Sequence, residues 1–254
     1  VRQRPRYQVR VLRFQAHRVL PENAMSETFS RPLVVSPHFD DAVFSCGALL
    51  AAHAGAVVHT VFSGCPADQV TTDWDRQCGF DNAAQAMQER AREDDRALHT
   101  LGATPERGGF LDAQYVPYGA HPSTEAIART LDEAVHRCST HTLLIPFGLF
   151  HSDHELAHRA CIDVWRANPS LECVAYEDAL YRRMSGRLQA RLAELATRGI
   201  VATPEPLHRH ANQREQALKQ DAVRAYPSQL KAFGPEGYDD VFCTERFWKL
   251  EQAK

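Results

Sequence analysis

The chain has 254 residues, 44% hydrophobic and 24% charged with 13 Gly and 14 Pro, which excludes a disordered, collagen-like or linker polypeptide and allows a sizeable core. Lys and Arg number 29 against 32 Asp and Glu, a formal charge of −3, so the whole chain offers no electrostatic case for nucleic acid or an anionic membrane, and a small ligand is expected. Seven scattered cysteines, never in a Cys-x-x-Cys pair, argue against a disulfide framework or a zinc ribbon and predict reduced thiols in a cytoplasm.

Residues 1–30 are expected to form a basic extension. Residues 1–24 carry six arginines and one acid, Glu22, and without them the remaining chain falls from −3 to −8. They lack the apolar run of a secretory signal. Three readings stay open: an extension lying upstream of a start at Met25, an anion-binding arm, and an Arg-rich transit peptide. No stretch approaches the roughly 18 apolar residues of a membrane span.

From there, short apolar runs alternate with longer amphipathic stretches, the rhythm of βα units. Leu33 to Val35 predicts a buried strand, followed by a loop at Ser36 to Asp41 and a helix from about Ala42 to Ala54, closed by Gly55. Ala56 to Phe62 is the second predicted strand. Gly64 to Asn82, with its Gly, Pro, Thr and Asp around Trp74, is predicted to be a long loop before a helix from about Ala83 to Leu101. A short third strand is predicted at Gly109 to Leu111, a helix at Thr124 to Cys138, and a fourth strand at Thr142 to Ile145, stopped by Pro146. Helix resumes near His154. Leu171 to Tyr176 and Pro206 to His210 predict further strands, Ser185 to Arg198 and Gln213 to Ala232 helices, and Arg246 to Trp248 a last strand. The pattern predicts a single α/β domain, Rossmann-like, with a mainly parallel sheet and helices on both faces.

Chemistry concentrates at two strand ends. Pro37-His38-Phe39-Asp40-Asp41 sits where a buried strand gives way to a helix, the place where open α/β sheets bind ligands. A neutral His38 and a carboxylate three residues on, Asp41, can converge on one cation and leave Asp40 as a neighbouring base. The two aspartates would equally serve as caps for the following helix, where carboxylates meet unpaired N–H groups. His151-Ser152-Asp153-His154 repeats the arrangement after Leu143 to Pro146. Here too a plainer account exists, because Ser152 with Glu155 is a capping-box pattern. Two such clusters can meet if their strands are neighbours, and two His with one carboxylate is a ligand set of catalytic zinc that keeps a position open. His154 and His158 share a helix face, but His158 would sit a turn further from the strand end, so His154 is preferred.

The two motifs together, PHFDD followed by HSDH, resemble the LmbE/PIG-L-like zinc-dependent N-deacetylases, whose signature is a strand, Pro/Ala-His-x-Asp-Asp and a later His-x-Asp-His. The resemblance covers roughly residues 32–250, and 31–254 is taken as one deacetylase domain. Less specific family-like features are Arg90 to Glu93 with Leu101-Gly102, Phe110 to Asp112 with Tyr115, Tyr176 to Asp178, and Tyr226 to Gln229. Phe39 and Ser152 stand where Pro is more frequent, and neither position supplies a ligand. The resemblance implies His38, Asp41 and His154 as zinc ligands and Asp40 as general base. It implies that His151 steadies the oxyanion or protonates the leaving amine, with Asp153 orienting it.

The chemistry agrees, since amide hydrolysis needs a nucleophile at neutral pH and a stabilised oxyanion, and zinc supplies both by bringing bound water to a pKa of about 7 and polarising the carbonyl. Fe2+ or cobalt suits the same donors. Family members act on N-acetylglucosamine units of lipids, thiol cofactor precursors, aminoglycosides and glycopeptide antibiotics, and the spacing of Trp74, the Arg90 helix and Gln229 resembles the antibiotic-pathway members. The substrate expected is an N-acetylated sugar or glycoconjugate, with Trp74, Arg90, Asp112 and Gln229 as candidate contacts. Trp74 would alternatively anchor its loop, Arg90 and Glu93 form a solvated ion pair, and Gln229 cap a turn. The rival functions are hydrolysis of another N-acyl amide and non-catalytic sugar binding. A metallo-β-lactamase-like enzyme is disfavoured because its His-x-His-x-Asp-His run is absent. A homo-oligomer is compatible with the sequence, which does not specify one.

Overall fold

The computed structural model of the protein describes residues 31–253 apart from 68–69, 118, 206–210 and 236. Seven strands, Leu33–Ser36 (β1), Val57–Thr60 (β2), Thr104–Arg107 (β3), Thr142–Pro146 (β4), Glu172–Tyr176 (β5), Ile200–Glu205 (β6) and Phe247–Gln252 (β7), form one sheet in the order β3-β2-β1-β4-β5-β7-β6. The first five are parallel, and β7 runs antiparallel to both β5 and β6. The helices are Asp41–Ala52 (α1), Asp73–Cys78 (α2), Ala83–Thr100 (α3), Thr124–Cys138 (α4), Ser152–Ala167 (α5), Arg187–Thr197 (α6), Gln213–Arg224 (α7) and Pro227–Phe233 (α8).

Both faces of the sheet are covered, which is why the central strands read as unbroken apolar runs. Alternate residues divide between two cores, as the strand pleat requires. Val34, Val58, Leu144 and Val174 pack with residues of α1, α3, α7 and α8, whereas Leu33, Val35, Leu143, Ile145 and Ala175 pack with α4, α5 and α6. Helix α1, which carries Asp41 at its start, is tied down by a buried ion pair. Lys219 Nζ donates to Glu245 Oε1 at 2.8 Å and to the Phe44 carbonyl at 3.0 Å, and Glu245 accepts from the backbone N–H groups of Ala48 and Leu49. Gly47 allows this approach, for a Cβ there would lie 2.7 Å from Lys219 Cγ.

Five expectations need correction. The third strand is Thr104–Arg107 and not Gly109 to Leu111. It is an exposed edge strand with Pro105 opposite Val58, so it shows no apolar pattern, and a proline is tolerated where one side needs no partner. The Gly64 to Asn82 stretch contains α2, whose start is a capping box between Thr72 and Asp75 and whose end is a left-handed Gly79. The helix predicted over Gln213 to Ala232 is two helices, broken at Tyr226 because Pro227 cannot donate to a preceding turn. The helix placed from His154 begins at Ser152. The last strand extends to Gln252. The strand expected at Pro206 to His210 and the N-terminal extension lie outside the described residues; β6 precedes the former. Among the described residues no helix is long and apolar enough to cross a membrane.

Candidate metal centre and active site

Strands β1 and β4 are neighbours in register, Leu33 beside Leu143 and Val34 beside Leu144. The chain leaves β1 towards β2 on one side and β4 towards β5 on the other, which opens a crevice at their carboxyl ends. PHFDD and HSDH both emerge there, so residues about 110 positions apart share one site.

The loop after β1 sorts its two aspartates. Ser36 Oγ accepts the Ala42 N–H at 2.9 Å, the first donor of α1, and donates to the His38 carbonyl at 2.5 Å. Asp41 folds back so that Oδ2 accepts the His38 N–H at 2.8 Å. Asp40 occupies the cap position yet makes no side-chain cap hydrogen bond. The capping account of these aspartates is therefore not what the structure shows, because a serine has taken that task. Asp40 is buried, and burial together with the charge of Asp41 raises its carboxyl to about 6, against the pull of Arg90 and His38.

Asp41 is the meeting point. His38 Nδ1 lies 3.2 Å and His154 Nε2 3.1 Å from its Oδ2. On the far side of each ring sits a buried carboxylate: Asp153 Oδ2 is 3.0 Å from His38 Nε2, and Asp178 Oδ1 is 2.7 Å from His154 Nδ1. Each outer ring nitrogen thus has a carboxylate to accept its proton and each inner nitrogen faces Asp41, an arrangement that would leave the inner nitrogens to a metal. Ligand atoms of His38, Asp41 and His154 all lie within 4.8 Å of one another. The surrounding charge is built for a cation. Burial alone would depress both imidazoles, but Asp112, Asp153 and Asp41 hold His38 well above its usual range, and Asp41 and Asp178 raise His154 to about 9. Burial opposes ionisation of Asp41, yet His154 and His38 hold its carboxyl well below the ordinary range. The donor set fits a divalent metal with an open position.

The second cluster also departs from its capping reading. His151, not Ser152, is the cap residue of α5, and its Nδ1 accepts the Asp153 N–H at 3.2 Å. Asp153 therefore meets His151 through its backbone; its carboxylate is occupied by His38 and by the Ala113 N–H at 2.9 Å. Ligand atoms of His38, His151 and Asp153 also lie within 4.8 Å of one another, so Asp153 stands beside His151 as well as His38. The Asp153 side chain is fully buried. Burial first, then the charges of His38 and His154, lower His151 to about 4. His158 stands apart, its Nδ1 2.9 Å from the Pro146 carbonyl on the inner side of α5.

His38, Asp40, Asp41 and His151 border a cavity of about 280 Å³ that also brings Trp74, Arg90, Asp112 and Gln229 together. Arg90 and Glu93 are not a solvated pair, for both are buried. Arg90 faces Asp112 at 3.6 Å across the cavity wall, while Glu93 accepts from the Ser228 N–H and hydroxyl and holds α8 against α3. Gln229 caps no turn. Its Oε1 accepts from Trp74 Nε1 at 3.2 Å and its Nε2 donates to Ser228 Oγ at 3.0 Å. Trp74 packs against Phe233 with ring centroids 5.2 Å apart and lines the cavity as well, so anchoring and exposure to a ligand coexist. Two contributors escaped the sequence analysis as site residues. Gln114 lines the cavity and donates to Asp112 Oδ2, and Asp178 positions His154. The sequence signals for Asp178 were its place just past the end of a buried strand and the family-like run from Tyr176 to Asp178, which assigned it no role.

The family model described as PIG-L, GlcNAc-PI de-N-acetylase, matches residues 33–165. No curated protein matches the chain in sequence. Among solved structures, the antimicrobial reagent A40926 pseudoaglycone deacetylase superposes with a TM-score of 0.71 at 23% identity, covering 89% of this chain and 98% of that one. A deacetylase of the teicoplanin biosynthesis pathway superposes with a TM-score of 0.73 at 20% identity, covering 88% and 99%. The N,N'-diacetylchitobiose deacetylase of Pyrococcus horikoshii reaches 0.52 at 16% identity over 87% of this chain and 75% of that one.

Proposed function

The chain belongs to the PIG-L family of GlcNAc-PI de-N-acetylases and is an amide hydrolase of the deacetylase class, and from that premise we propose that it removes the N-acetyl group of an N-acetylglucosamine-type sugar in a glycoconjugate or antibiotic-pathway metabolite. The observation that carries this reading is the convergence of His38, Asp41 and His154 within 4.8 Å beside a buried Asp40 that makes no cap hydrogen bond. The likeness to deacetylases of A40926 pseudoaglycone and of teicoplanin, and a cavity large enough for a sugar, support the substrate class.

His38, Asp41 and His154 would hold Zn2+, and Fe2+ suits the same donors. A bound divalent cation supplies Lewis acidity, polarising the amide carbonyl and acidifying water. Asp40 takes the proton of the attacking water, since its carboxylate is free of the helix cap and its raised pKa suits a base working near neutrality. His151 accepts a backbone N–H at Nδ1, so in the neutral ring the proton sits on Nε2. That N–H steadies the oxyanion of the tetrahedral adduct. Proton delivery to the departing amine falls to Asp40, which returns the proton it received. Asp153 holds His38 in place. Arg90, Asp112 and Gln229, with the face of Trp74, receive the sugar.

The test is acetate release from a panel of N-acetyl amino sugars by protein loaded with one zinc per chain, alongside His38→Ala. Release by the wild type, with loss of both metal and activity in the variant, is the expected result. A zinc-loaded wild type that releases no acetate from any member overturns the substrate assignment.

A further inference from the structure

The cavity lining falls into two contact groups. Arg90 and Gln114 both meet Asp112, at 3.6 Å and 3.0 Å, whereas Phe44 and Phe233 pack with ring centroids 6.4 Å apart and Leu180 joins the same apolar cluster. An N-acyl amino sugar is divided the same way at its scissile bond, with ring hydroxyls on the nitrogen side and an alkyl group on the carbonyl side.

Leu180 differs from the rest of that apolar group in its backbone. Its φ is 71°, in the left-handed region that a residue with a Cβ seldom enters. Packed structure imposes it from three directions. The Leu180 N–H donates to Asp240 Oδ2 at 2.7 Å, and the preceding Ala179 N–H donates to Ser45 Oγ on α1 at 3.0 Å. Arg182 completes the clasp, its Nε 2.9 Å from the same Asp240 oxygen and its Nη2 2.6 Å from the Asp240 carbonyl. The strained residue is next to the chemistry. Tyr181 packs edge-on against His154 with centroids 5.1 Å apart, and Phe44 lies one helical turn beyond Asp40. Strain held by an over-determined surrounding and located at a ligand cavity points to a role for the side chain so placed.

We propose that Leu180 is a specificity-determining residue: clasped by Asp240 and Ser45, it closes the apolar wall with Phe44 and Phe233 and limits the length of the acyl group that fits on the carbonyl side of the scissile amide. This inference rests on the N-deacetylase reading above.

The test compares kcat/KM for N-acetyl-, N-butanoyl- and N-hexanoylglucosamine in wild type, Leu180→Ala and Leu180→Gly, all zinc-loaded. Discrimination by an apolar pocket changes by roughly 10-fold or more when its limiting side chain is removed. The hexanoyl-to-acetyl ratio is therefore expected to rise at least ~10-fold in Leu180→Ala and further in Leu180→Gly, for which the left-handed conformation is free of strain and the fold is safe. Calorimetric titration with acetate, butanoate and hexanoate supplies a second readout without turnover, and the preference is expected to shift the same way. Ratios within about twofold of wild type, in variants that remain active, overturn this inference alone. A zinc-loaded wild type that cleaves none of the series overturns the deacetylase reading and this inference with it.

Discussion

Asp178 Oδ1 lies 2.7 Å from Nδ1 of His154, and this contact turns Nε2 of the same ring onto Asp41, 3.1 Å away. A second oxygen of Asp178 accepts the Leu149 N–H at 3.2 Å, so the carboxylate is fixed from the backbone outward. The last strand-end aspartate thus governs which nitrogen of a distant helix residue can bind a metal. Replacing Asp178 by Asn keeps the volume but removes the charge that favours the Nδ1–H form. Asp178→Asn is expected to weaken zinc binding about 10–100-fold, the usual cost of losing such an outer partner, as read by competition with a chelator. Unchanged affinity would show that His154 needs no such support.

Asp40 stands at the cap position of α1 without making a cap hydrogen bond. Asp40→Asn is expected to retain the metal and lose at least ~100-fold in kcat, the ordinary contribution of general acid–base catalysis. Metal content and steady-state kinetics on one preparation check both halves. Near-wild-type turnover would remove Asp40 from the mechanism.

Trp74 is held at its nitrogen by Gln229 and at its ring by Phe233, so its exposed face is presented rigidly to the cavity. Trp74→Ala is expected to raise KM roughly 5–30-fold, equivalent to about 1–2 kcal/mol of aromatic contact, with a smaller change in kcat. A substrate titration of the variant decides this, and an unaltered KM assigns Trp74 to loop anchoring alone.

Glu106, on the edge strand β3, links that strand to its neighbours: His59 Nδ1 is 3.0 Å from Oε2, and Arg137 Nε donates to Oε1 at 2.8 Å. The hydrogen bond from His59 first, then that from Arg137, hold its carboxyl down at about 2 against the effect of burial. A depressed folded-state pKa contributes stability that is complete above the unfolded value near 4.5 and is lost as pH falls from there towards 2. Glu106→Gln is expected to flatten that acid limb. The contribution removed is on the order of 1–2 kcal/mol once solvent screening at the partly exposed Arg137 is allowed for. Thermal unfolding of both proteins between pH 2 and 6 measures it, and identical pH profiles would contradict the assignment.

The sequence by itself determined the architecture's repeating unit and which residues are candidates for the chemistry. Unbroken apolar runs at Leu33 to Val35 and Leu143 to Ile145 specify strands buried on both faces, and such strands end where helices begin, so His38, Asp40, Asp41, His151, Asp153 and His154 had to lie at strand ends. The edge strand at Thr104–Arg107 left no such mark, because an element half open to solvent needs no apolar alternation. Tertiary structure alone decided that β1 and β4 are neighbours, which joins the two motifs. It also decided the division of labour within them. Ser36 satisfies a donor of the helix start in place of Asp40, and the Asp153 carboxylate pairs with His38. Hydrogen-bond assignments depend on which donor and acceptor lie within about 3 Å once the chain has packed, and spacing along the chain carries no information about distances across it. For the same reason Asp178, Asp240 and the left-handed Leu180 became visible only in the fold.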